Sequence, residues 1–251
     1  MAADRSTLSG ASIYVGCAGW SLRSEQKSRF EPGDSHLARY ATRFPAVEIN
    51  TSFYRLHRPA TYARWARTVP DGFRFAVKVP KEITHHERLV HASSLGPFLE
   101  GVVELGERLG PLLVQTPPSL AFEPRRMGGF FEGLRHQFDG AVVCEPRHPS
   151  WFAPGPEALL ASFRVARAAA DPAPTLEGVH PGGWGGLVYY RLHGTPKKYY
   201  SPYSPEFLDR FTGMLRASSH LATTWCIFDN TAEGAAIENG LDLLARLQLG
   251  E

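Results

Sequence analysis

Cysteine is scarce in this chain. Cys17, Cys144 and Cys226 are three in 251 residues, far apart, and each falls inside a run that reads as a strand. That pattern argues against a disulfide framework and a structural zinc site, and predicts buried, inert thiols. No apolar run approaches the roughly 20 residues that cross a bilayer, and residues 1–12 lack the basic start and apolar centre of a secretory leader. The expectation is a cytoplasmic protein with no membrane partner. An excess of one charge is also missing: 27 Lys and Arg against 25 Asp and Glu leave a formal net charge of +2, which does not by itself imply nucleic acid. No Gly-x-Gly-x-x-Gly follows the first strand, and Gly16-x-x-Gly19 is too short and too common to mark a dinucleotide site. Repeats, low-complexity tracts and compositional boundaries are absent, so a single domain is expected over 13–251 behind a flexible tail at 1–12.

What is present is a series of apolar runs that end in polar groups. Strands are predicted near 13–17, 46–51, 74–79, 111–115, 140–145, 163–170, 187–193 and 223–229. Helical patterns near 34–44, 59–68, 95–109, 124–137, 156–162, 205–219 and 234–247 separate most of them. Strands joined through helices run parallel and present their last residues at one common end. Eight such units in 251 residues match an α/β fold of the TIM-like (β/α)8 barrel type, which takes about 250 residues; an open doubly wound sheet is the competing topology. The sixth unit is irregular, because Arg164 to Asp171 is alanine-rich and a turn-rich stretch of prolines and glycines follows it.

Side chains two apart in a strand share a face. Glu48 with Asn50, Glu145 with Arg147, and Arg191 with His193 should therefore project together at the strand ends. Glu48, Lys78, Glu145 and His193 are the candidate catalytic groups: two carboxylates whose pKa values can be set apart, an amine that desolvation can neutralise, and the one side chain that titrates near neutrality. Trp20, Asn50, Tyr54, Gln115, Arg147, Trp151, Arg191, Lys197, Tyr199 and Asn230 are candidate substrate contacts, with packing an equal claim on Trp151. Glu48, Glu145, Asp171, His193 and Asp229 could instead hold a divalent metal, the one cofactor considered, although no two ligands sit at i, i+4 on a helix. A purely structural alternative pairs Glu145 with Arg191 and Glu48 with Lys78. Because a buried charge network is a burdensome way to stabilise a domain, a solvent-filled, ligand-binding mouth is expected here.

Several motifs are distinctive: Gly16-Cys17-Ala18-Gly19-Trp20, Glu48-Ile49-Asn50-Thr51-Ser52-Phe53-Tyr54, Gln115-Thr116-Pro117-Pro118-Ser119, Glu145-Pro146-Arg147-His148-Pro149-Ser150-Trp151, Tyr190-Arg191-Leu192-His193-Gly194 and Phe228-Asp229-Asn230-Thr231. In this order the chain resembles the domain of unknown function 72 family, also called YecE-like. The resemblance implies a TIM-barrel-like fold and brings no established reaction. Two departures stand out. Asp229 occupies a position where the family pattern has Asn, which weakens it as a catalytic acid, and residues 23–30 lack the aromatics of a typical member.

Lys78, Arg147, Arg191 and His193 gather positive donors at one end, so the expected ligand is an anionic small molecule or nucleic acid. The loop Lys197-Lys198-Tyr199-Tyr200 adds charge and stacking surface. The leading expectation is an enzyme on a phosphorylated substrate, a phosphoester or nucleic-acid hydrolase. Two alternatives stand beside it: a metal-independent isomerase or lyase acting on a sugar or carboxylate, and a non-catalytic nucleic-acid or metabolite-binding module. If the cluster serves a ligand, Glu145→Gln is expected to keep the fold. Oligomeric state is not legible at this level.

Overall fold

A computed structural model describes residues 12–249. The tail expected at 1–12 lies, but for Ser12, outside the described residues. Strands β1 (Ile13–Cys17), β2 (Ala46–Ile49), β3 (Arg74–Lys78), β4 (Leu109–Gln115), β5 (Val142–Glu145), β6 (Val165–Arg167), β7 (Ala169–Asp171), β8 (Gly182–Gly183), β9 (Leu187–Leu192) and β10 (Thr223–Phe228) alternate with helices α1 (His36–Tyr40), α2 (Pro59–Thr68), α3 (Gly96–Val102), α4 (Pro124–Arg135), α5 (Pro154–Ser162), α6 (Pro205–Ser219) and α7 (Ala235–Gln248). Proline opens α2, α4, α5 and α6, where its missing N–H costs nothing and its fixed φ suits the first turn. Glu123 caps α4 by accepting from the backbone N–H groups of Arg125 and Arg126. The first helix stops at Tyr40, short of the expected 44, because Pro45 disfavours helical backbone at the residue before it.

The strands form two α/β sheets, ordered β1-β10-β9-β7 and β2-β3-β4-β5-β6-β8, parallel except for the β6–β8 pair. An isolated parallel bridge from Ala18 to Glu48 links the end of β1 to β2. The sixth strand, expected to run unbroken over 163–170, is two short ones. Its first half pairs with β5 and its second with β9, the change falling at Ala168. No helix follows it. A loop carrying one 3-10 turn (Glu177–Val179) and the antiparallel β8 takes that place, as the proline and glycine content of the stretch requires.

Alternation sorts the strand side chains into two packed layers. One face joins the helices in a large core that includes Val47, Ile49, Phe75, Val77, Cys144 and Phe228. The other holds a smaller cluster of Ala46, Ala76, Leu113, Val143, Ala166, Tyr189, Trp225 and Ile227. Alanines on this second face leave room for Tyr189 and Trp225, and Glu48, Lys78, Gln115, Glu145, Arg191 and Asp229 follow two residues later on the same strand faces. The expected strand-end cluster is therefore the polar continuation of an apolar layer. The three cysteines are buried and free, and burial raises the Cys17 thiol to about 12.

The approach of β1 to β2 depends on Gly16. A Cβ there would lie 2.7 Å from the Ala46 carbonyl carbon and closer still to its oxygen. Backbone cannot yield as a flexible side chain does, so Gly16→Ala should lose roughly 1–3 kcal/mol by overpacking. Thermal denaturation of the variant checks this; an unchanged midpoint would show that β1 and β2 separate freely.

Candidate functional site

Arg191 is the centre of the cluster. On the penultimate residue of β9, with 0% of its surface exposed, it donates from Nε and Nη2 to Glu48 at 3.0 and 2.7 Å, from Nη1 to Glu145 at 2.7 Å and from Nη2 to Asp229 at 3.1 Å. The guanidinium fork thus joins the ends of β2, β5 and β10, which suits its planar set of donors. Tyr189, two residues earlier on the same face, donates its hydroxyl to Glu48 at 2.9 Å. Gln115 donates to Glu145 at 2.9 Å, and Arg147 does so at 3.2 Å.

His193 closes the network. Its Nε2 lies 2.8 Å from Glu145 and its Nδ1 2.9 Å from Asp229. Both ring nitrogens are thus engaged by carboxylates and the ring is wholly buried, so neither nitrogen is free to meet a substrate. The expected general acid or base is instead a clamp between two carboxylates.

The electrostatics follow from this geometry. Burial pushes the Glu145 carboxyl up, but Arg191, His193 and Arg147 outweigh it and hold the group well below the usual carboxylate range. Asp229 is likewise raised by burial and brought down further by Arg191 and His193. Burial depresses Arg191 while Glu48, Glu145 and Asp229 more than compensate, leaving it raised well above its ordinary value.

Lys78 behaves differently. The ion pairs of the cluster run between other residues. Its ammonium instead sits 4.1 Å from the centre of the Phe53 ring. Burial first, and the Arg191 charge second, lower it from 10.5 to about 8 against the pull of Glu48, Glu145 and Asp229. The ring of His85 meets Phe53 edge-on at 5.0 Å, and burial together with Lys78 lowers His85 to about 4. Three buried polar atoms just past the ends of β2, β4 and β10 have no partner among the described residues: Asn50 Oδ1, Thr116 Oγ1 and Asn230 Oδ1.

Other expectations are met unevenly. Lys198 is half-buried and lowered by burial and by Arg147, and Tyr199 stands edge-on to His193 at 5.9 Å. Lys197 turns away over the Tyr200 ring at 3.8 Å. Trp151 is fully buried, donates to the Leu120 carbonyl at 2.9 Å and packs edge-on against Phe122, so it anchors its loop and cannot touch substrate. Trp20 packs edge-on against Trp65 of α2, and Tyr54 is largely exposed beside Phe53. The pairing of Glu48 with Lys78 is replaced by pairing with Arg191, because the longer fork reaches three carboxylates at once.

The candidate metal ligands meet protein partners. Among the described residues no three His, Cys, Asp or Glu side chains converge in a way that could hold an ion. Arg191 lies between Glu48, Glu145 and Asp229, and Asp171 is engaged by the Thr195 hydroxyl at 2.9 Å. The expectation of a solvent-filled mouth also changes, since Glu48, Glu145, Arg191 and His193 are fully buried. A cavity of about 200 Å³ at this end lies to one side, between Cys17 to Ser21 and Thr231 to Ile237. Glu145→Gln is consequently no longer expected to spare the fold, because an amide would face four donors. Tyr189, Thr116 and Lys198 were not among the candidates. Tyr189 was detectable as the same-face neighbour of Arg191, whereas Thr116 shows itself only through its missing partner.

The YecE protein (UPF0759) of Escherichia coli is 35% identical over 149 residues, 58% of this chain and 52% of that protein. YunF of Bacillus subtilis, also UPF0759, is 28% identical over 159 residues, 57% of this chain and 53% of that protein. The matched region thus spans about half the length of either relative. A DUF72 family protein of Enterococcus faecalis superposes with a TM-score of 0.80 at 22% identity, covering 96% of this chain and 97% of that one. One of Thermotoga maritima does so at 0.74 and 23%, covering 94% and 99%; both likenesses concern the fold. Among the described residues no helix is long and apolar enough to cross a membrane. The family model for "Protein of unknown function DUF72" matches residues 14–251, and the chain belongs to that family.

Proposed function

We propose that this chain is a metal-independent enzyme acting on an anionic substrate that carries a carbonyl, with Lys78 as the base that removes a proton from the neighbouring carbon. The observation that carries this reading is Lys78 itself: an amine 6% exposed, without an ion-pair partner among the described residues and lowered to about 8. A base poised near working pH combines adequate neutral population with proton affinity. Arg147 and Lys198 supply the anion anchor. The carboxylates around Arg191 hold the floor rigid and do not exchange protons. Closure of the two sheets into one eight-stranded barrel, within a single domain over 13–251, is part of the proposal; the Ala18–Glu48 bridge and the shared run from β6 to β7 support it. Three free, buried thiols suit a reducing compartment such as the cytoplasm.

The cation excess around Arg147 and Lys198, beside Tyr199, favours phosphoester hydrolysis as the second reading, with the same cations stabilising phosphoryl oxygens. One experiment separates the two. The protein is incubated in deuterated buffer with sugar phosphates and keto acids, and deuterium uptake and phosphate release are both recorded. Uptake that rises with pH through about 8 and disappears in Lys78→Met is the expected result. Phosphate release without uptake would replace this reading with the hydrolase.

A further inference from the structure

At the opposite end of the strands lies a cavity of about 290 Å³ that the Lys78 site does not use. Its floor is aromatic. Trp225, buried to 2% exposure, packs against Tyr14 with ring centres 4.8 Å apart and lies nearly parallel to Tyr189 at 6.0 Å. Gly110 makes this possible, because a Cβ there would come within 2.6 Å of the Trp225 ring. Trp184 forms a wall; its backbone N–H donates to the Val165 carbonyl at 2.9 Å, and its ring lies over Gly186, where any side chain would strike it.

Three arginines, Arg74, Arg135 and Arg164, line the same cavity together with a single carboxylate, Asp139. Arg135 has a structural task, donating to the carbonyls of Phe163, Phe138, Gly140 and Arg164. Among the described residues Arg74 donates only to the carbonyls of Asp71 and Phe73, and no carboxylate there meets its charge. Arg164 is the exposed member, 3.7 Å from an almost fully exposed Asp139, an arrangement worth little in water. Its φ of +52° is a left-handed backbone that L side chains rarely adopt, and such outliers concentrate where function constrains the chain. In barrel-like folds this end ordinarily serves stability. Stability needs neither the Arg74 charge without a carboxylate nor a cavity lined by Trp184 and Tyr14.

We infer that this cavity is a second binding site, for a small planar aromatic anion whose ring lies against the half-buried Trp184 and Tyr14 and whose charge is met by Arg74 and Arg164. Guanidinium groups pair with carboxylate or phosphate through parallel N–H donors, and the two aromatic rings supply a flat apolar contact. The volume lies at the lower end of small-molecule sites, about 300–1,000 Å³, so a one-ring or two-ring ligand fits and a dinucleotide does not.

Phenyl phosphate is the probe, titrated calorimetrically, with inorganic phosphate and benzyl alcohol as the charge-only and ring-only controls. The wild type should bind phenyl phosphate saturably and each control much more weakly. Arg164→Gly removes the guanidinium and suits the left-handed backbone, so the fold is kept while affinity falls about tenfold or more. Lys198→Gln, at the other end of the strands, should leave the affinity unchanged. Absence of saturable binding overturns the inference. So does binding that Arg164→Gly leaves intact, or that Lys198→Gln abolishes; the last result would place the probe beside Lys78.

Discussion

Arg191→Met is expected to lose roughly 4 kcal/mol or more of unfolding free energy at pH 7. Breaking one buried ion pair costs about 3–5 kcal/mol, and Arg191 satisfies Glu48, Glu145 and Asp229 together. A domain stable by about 5–15 kcal/mol would be left near the threshold of folding. Urea denaturation measures the loss, and a variant within 1 kcal/mol or so of wild type, on the usual scale of surface substitutions, would refute the assigned role. The pH dependence carries a definite sign. Glu145 and Asp229 have folded pKa values below their unfolded ones. Their contribution is present above the unfolded values, about 4, and is lost as pH falls through the folded ones. Removing Arg191 removes much of that depression. The gap between wild type and variant should therefore be full at neutral pH and narrow below about pH 4.

Lys78→Met should have the opposite effect on stability and the larger effect on function. Lowering a lysine from 10.5 to about 8 amounts, at 1.36 kcal/mol for each pH unit, to a penalty of about 3 kcal/mol. The unfolded chain binds this proton more tightly than the folded one. The penalty is thus fully present below about pH 8 and disappears as pH rises past 10.5. Loss of the contact with Phe53 returns about 0.5–2 kcal/mol. The net expectation is a variant about 2 kcal/mol more stable than wild type near neutrality, converging with it above pH 10, and devoid of substrate deuterium uptake. A variant less stable at pH 7 would make Lys78 an ordinary partnered cation. Gain of stability with loss of chemistry is the mark of a group held in an unfavourable state for its task.

These two substitutions separate roles that look alike along the chain. Glu48, Lys78, Glu145, Arg191 and Asp229 each end an apolar run, and period-two alternation places them on one strand face. Alternation cannot distinguish the residue that satisfies its neighbours from the residue left without a partner. His193 illustrates the point: its intrinsic titration range recommends it for proton transfer, yet carboxylates on both sides occupy both of its nitrogens. Trp151 follows a Pro-Ser turn that could have presented it to a ligand, and the Leu120 carbonyl draws it inward.

Local chemistry in the sequence determined the element types, the parallel strand order implied by intervening helices, the strand-end cluster and the irregular sixth unit, since propensity, proline and alternation act over a few residues. Tertiary structure alone decided that Arg191 and not Lys78 meets Glu48, that the Arg191 layer is closed to solvent, and that an arginine-rimmed aromatic cavity opens at the other end. Those outcomes depend on distances between residues far apart in the chain, such as the 143 positions that separate Glu48 from Arg191. Burial sets the free energy of a charge through everything packed around it, and that surrounding exists only once the strands are assembled.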